Sequence, residues 1–161
     1  MRPTATGFAA CALVLTLAGC SPVPPPPPPE PVARADLPQQ RIFFTQRPEF
    51  VLNAMRDMCQ SPDTELVRSD ADGLECRFLI EPRITAALIL AYDGTIDDLP
   101  RAVLQASIAP DSDGHVLTLT PYAQIPRRRD TPALLPLDSP RFLRAITRSM
   151  TRLGGQVLPP E

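Results

Sequence analysis

Apolar and polar positions divide the chain into three regimes: an apolar run from Phe8 to Leu17, a proline-dominated stretch from Ser21 to Gln40, and a long periodic segment. In the third regime Phe50, Val51, Ala54, Met55 and Met58 recur at helical spacing and predict a helix from Pro48 to Met58, stopped by Ser61-Pro62. Thr64 to Arg68 and Leu74 to Ile80 read as strands around the turn-rich Ser69-Asp70-Ala71-Asp72-Gly73. Leu74, Cys76, Phe78 and Ile80 alternate with Glu75 and Arg77, which predicts one buried face. Ala102 to Ala109 and His115 to Tyr122 make a second hairpin around Asp111-Ser112-Asp113-Gly114. The apolar run Ile84 to Tyr92 fits either a central strand or a buried helix; its shortness and the Asp93-Gly94 turn favour a strand. Pro126 to Leu137 reads as an irregular loop. Asp138 or Ser139 then caps a last helix, with Pro140 in its first turn and Gly154-Gly155 at its end.

This order predicts an α+β fold: a two-layer sandwich in which a mostly antiparallel sheet of four or five strands carries an N-terminal and a C-terminal helix. The domain is expected over residues 41–155, followed by a tail at 156–161, a size close to the commonest for a single domain.

The front end carries an address. Arg2, the apolar run and Ala18-Gly19 have the layout of a signal peptide over residues 1–19, and the run is shorter than the ~20 residues that cross a bilayer. Within it, Leu17-Ala18-Gly19-Cys20 resembles the lipobox of bacterial lipoproteins. The resemblance covers the first twenty residues. It implies a diacylglyceryl group on the Cys20 thiol, cleavage just before it, acylation of the new amine, and so a palmitate-type anchor in the cell envelope. Ser21, where an Asp would imply retention at the inner membrane, points to the outer membrane, facing the periplasm. An ordinary secretory signal with an incidental Cys20 is the alternative.

Residues 20–40 then form a spacer. The run Pro24 to Pro29 has fixed φ and no donors, so residues 22–31 are expected as a polyproline rod of roughly 30 Å that holds the domain off the bilayer. A docking site for a proline-reading domain is the other possibility. Of the four cysteines, Cys11 leaves with the signal peptide and Cys20 is taken by lipid. Cys59 and Cys76 remain, and an oxidising compartment predicts a disulfide between them, with two unpaired buried thiols as the alternative.

A formal net charge of -2 and a pI near 5.4 argue against a surface built for nucleic acid. All sixteen basic residues are arginine, which excludes Schiff-base chemistry, a lysine general base and a phosphate-loop lysine. Charge is segregated: residues 57–113 hold twelve acids against four arginines, and residues 127–161 hold seven arginines against three acids, so the two segments should attract. Arg141, Arg144, Arg148 and Arg152 recur along one helix face, beside an apolar stripe of Phe142, Ile146, Met150 and Leu153. With Arg127, Arg128 and Arg129 they are the candidate face for an acidic partner or anionic lipid headgroups. The alternative is a solvated face partly paired with the acidic hairpins.

Signals for catalysis are sparse. His115, the only histidine, has no G-x-S-x-G partner and no second metal ligand. Asp111-Ser112-Asp113-Gly114 lacks the spacing and closing Glu of a calcium loop, and Asp97-Asp98 reads as a solvated turn. No catalytic, metal or cofactor-binding residue is assigned, and no cofactor is expected. The resulting expectation is a non-enzymatic, membrane-anchored docking or assembly module with an envelope protein partner. The alternatives are a carrier of an apolar ligand between sheet and helix, and a small hydrolase using His115.

Overall fold

Alternating residues over 101–125 build the longest strand pair, β4 (Arg101–Asp111) and β5 (Gly114–Ile125), antiparallel from Arg101↔Gln124 to Asp111↔Gly114. The computed structural model describes residues 26–159. The expected signal peptide, the lipobox and Cys20 lie outside the described residues.

The remaining strands are β1 (Gln40–Phe44), β2 (Thr64–Ser69), β3 (Gly73–Leu79), β6 (Ala133–Pro136) and β7 (Gln156–Val157). They complete a seven-stranded antiparallel sheet in the order β2-β3-β4-β5-β1-β7, with β6 also on β5. The helices are α1 (Glu49–Met58), α2 (Pro82–Ala91) and α3 (Pro140–Arg152). The α+β class and the antiparallel sheet are as the sequence predicts, and so are both hairpins and the first and last helices.

Four segments differ, the first being β1, which the sequence reading leaves unassigned. Ile84 to Tyr92 is not a strand: it lies in α2 and its C-cap, because Pro82 starts the helix and the run is rich in Ala and Leu, both strong helix formers. The Asp93-Gly94 pair ends this helix instead of turning a hairpin, with Asp93 at φ 53 and the Gly94 N–H donating to the Ile89 carbonyl. The supposed irregular loop contains β6, and the supposed tail contains β7 on the free edge of β1.

Strand register sorts the core. Leu74, Cys76, Ala106, Ile108, Leu117, Leu119, Ile42 and Phe44 share one face, covered by Val51, Leu52, Met55 and Cys59 of the α1 segment and by Ile146 and Met150 of α3. On α1 the buried face is turned from the expected one: Leu52 points inward, whereas Phe50, Ala54 and Met58 are exposed. Cys59 fixes that rotation through its disulfide to Cys76, across Cα atoms 5.7 Å apart. Further along the same face, Ala123, Ile125 and Leu135 pack with Tyr92 and Leu88 at the α2 end. Close approach requires glycine at two places. A Cβ on Gly114 would run into the Phe44 carbonyl of β1, and one on Gly155 would meet Ile42 Cγ2 at 2.5 Å.

The opposite face is covered by the N-terminal segment. Val32 and Leu37, flanking a short 3-10 turn at Arg34–Asp36, pack on Val103, Tyr122 and Leu134. The Val32 N–H donates to the Leu134 carbonyl, and the Tyr92 hydroxyl donates to the Pro29 carbonyl. The described end of the spacer is therefore strapped to the sheet, and the expected free rod over residues 22–31 is shortened at its domain end.

Candidate functional site

The Ser139 hydroxyl accepts the Phe142 N–H and Pro140 occupies the first turn, so α3 starts where the sequence places it. Leu143, Ile146, Thr147 and Met150 are half-buried toward the sheet. At about 100° per residue, Arg141, Arg144, Arg148 and Arg152 fall within a ~80° arc on the opposite side of the helix. All four are exposed, and among the described residues no carboxylate lies within ion-pair distance of any of them. The row extends roughly 16 Å at 1.5 Å per residue. Phe142 and Leu153, expected in the inward stripe, remain 39% and 46% exposed and flank the arginines.

The acidic hairpins find other partners. Asp72 pairs with Arg47 at 3.1 Å, Asp70 with Arg68 at 3.3 Å and Glu75 with Arg77 at 3.5 Å. Arg47 also binds Glu49, and Arg56 donates to the Asp70 carbonyl and the Ser69 hydroxyl. Attraction between the two charged segments is thus replaced by local pairing, which leaves the α3 stripe open.

Arg127, Arg128 and Arg129 follow β5 at its other end. Arg127 pairs with Asp130 at 3.2 Å, the Arg128 N–H donates to the Asp93 carbonyl, and Arg127 and Arg129 line a recess with Ala91, Tyr92 and Asp93. β6 carries the chain back from Ile125 to Tyr122, so α3 begins past that end and finishes at Gly155, beside Ile42 and Phe44. The three arginines therefore attend the end of α2, while the helical four run toward the opposite end of the sheet.

His115 lies across from Phe44 and Pro110 at the start of β5, with a buried Nδ1 that has no partner among the described residues. Asp97 and Asp98 follow the Gly94↔Arg127 bridge beyond the other end of β5. Roughly 33 Å of strand separates the two ends, so His115 and these carboxylates form no common cleft. Among the described residues no group of three or more His, Cys, Asp or Glu could hold a metal ion, and no helix is long and apolar enough to cross a membrane.

Two features escaped the sequence. One is a groove of about 590 Å³ between α2 and the end of β3, lined in part by Leu79, Ile80, Ile89 and Leu99. It lies beside α2, not under α3. The other is Tyr122, fully buried beneath Arg34, whose guanidinium carbon is 5.4 Å from the ring centroid. Among the described residues its hydroxyl makes no hydrogen bond of ordinary geometry, and the Arg34 guanidinium is the donor beside it. Burial raises its pKa, as does nearby Glu75, while Arg34 and Arg77 act the other way. Burial also raises the pKa of Tyr92, against the pull of Arg127.

The folded protein therefore holds phenolic protons that the unfolded chain releases, and stability should fall as pH rises past 10. Tyr122→Phe removes a buried hydroxyl without a hydrogen bond of ordinary geometry among the described residues, and is expected to leave stability at pH 7 unchanged or raise it by up to about 1 kcal/mol. It should also shrink the alkaline loss. Urea denaturation at pH 7 and above pH 10 checks both; a destabilised variant would show that the hydroxyl is satisfied in solution.

Comparisons of the chain with protein-family models, curated proteins and solved structures find no match. The site itself therefore carries the functional reading.

Proposed function

We propose that this protein is a lipid-anchored docking module of the bacterial cell envelope. It is held at the outer membrane through Cys20, faces the periplasm and works without catalysis by presenting α3 to an acidic envelope protein. The observation that carries this reading is the outward row of Arg141, Arg144, Arg148 and Arg152, exposed and without carboxylate partners among the described residues.

Such a row has a cost. Arg144 and Arg148, and Arg148 and Arg152, are like charges four residues apart, each pair destabilising an isolated helix by ~0.2–0.5 kcal/mol. An acidic surface facing the row would offset that repulsion and set orientation and encounter rate through complementary charge. A protein partner fits better than the headgroups of the anchoring membrane, because α3 runs away from the end of the sheet where the spacer arrives.

The anchor has its own test. Cys20→Ala, or globomycin treatment of cells making the native chain, should leave a slower-migrating precursor. Unchanged processing in either case would contradict lipidation.

A further inference from the structure

Apolar side chains collect outside the core at one end of the molecule. α2 carries one charged residue, Arg83, yet buries only Thr85. Ile84 is 51% exposed, Leu90 85%, and Ile96 in the following loop 75%. At that exposure Leu90 and Ile96 project from the surface. Apolar surface gathered in this way marks a contact site more often than isolated exposed residues do.

The N-terminal segment reaches the domain at this same end. Tyr92, immediately after α2, holds the Pro29 carbonyl through its hydroxyl. Pro29 is nine residue steps from Cys20, and at no more than ~3.5 Å each they keep Pro29 within about 30 Å of the anchored residue. His115 and the end of α3 lie at the other end of β5, roughly 33 Å away.

We propose that α2 and the loop to Leu99 form a second membrane contact, with Leu90 and Ile96 at the acyl boundary of the bilayer that holds the anchor; the inference rests on the lipidation of Cys20. Tethering keeps that bilayer at a high effective concentration next to α2, which favours it over a free partner. Charge sets the mode of contact. At this end of the sheet Arg83, Arg101 and Arg127 to Arg129 are matched by Glu81, Asp93, Asp97, Asp98 and Asp130. The tip has no net attraction to anionic headgroups, so burial of apolar surface drives the contact. The domain then lies against the membrane with the α3 arginines directed into the periplasm, and the spacer serves as a short strap.

The test uses the mature full-length chain in phosphatidylcholine vesicles, with an environment-sensitive fluorophore on Leu90→Cys, Ile96→Cys or, at the exposed far side, Ser149→Cys. Doxyl groups on the acyl chains report contact with lipid, and flotation reports the anchor separately. The expected result is flotation of all three, with quenching about threefold stronger at positions 90 and 96 than at 149. It should persist when salt is raised about tenfold. Flotation without quenching at 90 and 96 overturns the contact while leaving the anchor standing. Failure to float removes the anchor and the contact with it. A blue shift at position 90 that grows with protein concentration, without doxyl quenching, overturns the contact in favour of a second copy of the chain.

Discussion

Replacing Cys59 and Cys76 together by alanine is expected to lower the unfolding midpoint by about 10 °C. The disulfide closes a loop with a sequence separation of 17. Restricting a loop of that length in the unfolded chain contributes about 3 kcal/mol, and for a domain of this size 1 kcal/mol corresponds to about 4 °C. Typical stability totals of about 5–15 kcal/mol make this a large share. The bond also acts locally, since α1 buries only Val51, Leu52 and Met55 within the helix and Cys59 holds its last turn against β3. Thermal denaturation followed by circular dichroism checks the expectation. Reductant should move the native protein toward the midpoint of the alanine variant and leave that variant unchanged. Equal midpoints without reductant would show that the bridge contributes nothing.

The double variant Arg144→Glu, Arg148→Glu is expected to weaken capture of the acidic partner by about a hundredfold, on the order of tenfold per reversed contact. Stability should change by less than about 0.5 kcal/mol, since both side chains are exposed and unpaired among the described residues. The expected sign is a small gain. Arg148→Glu turns the repulsion with Arg152 into attraction, with the acid four residues before the base in the favourable order. Urea denaturation of the variant separates the two effects. A large loss of stability would mean that the arginines support the fold, and lost capture would then say nothing about a contact face.

Local patterns made part of this molecule readable in advance. The 3.6-residue spacing of the arginines and the Ser139-Pro140 start placed the α3 stripe correctly, and counting cysteines left Cys59 and Cys76 as the pair that bonds. The same dipeptide signal failed once: Asp113-Gly114 belongs to a hairpin, whereas Asp93-Gly94 terminates α2. The difference lies upstream: Gln105 and Ser107 alternate with apolar neighbours before Asp113-Gly114, whereas Pro82 opens a run with no polar residue after Thr85 before Asp93-Gly94.

β1, β6 and β7 were missed for another reason. All three are short; the ladders of β1 and β7 depend on partners distant in sequence, as in Ile42↔Leu117 and Ile42↔Val157, and β6, which pairs with nearby β5, is flanked by Pro132 and ends at Pro136. Separating Arg127, Arg128 and Arg129 from the α3 row required knowing that β6 turns the chain back along β5. The apolar run of α2 suggested burial; the helix instead packs on the end of the sheet through Leu88 and its C-cap Tyr92, which leaves Ile84 and Leu90 exposed.

The most direct test of the docking account is photo-crosslinking in intact cells from Ala145, an exposed position bordering the arginine arc of α3. The expected result is one dominant adduct with an acidic envelope protein, lost when Arg144 and Arg148 are both reversed to Glu and the chain remains folded and anchored. An adduct of the same yield in the reversed protein, or no adduct from Ala145, would contradict the claim that this helix face is where the protein binds.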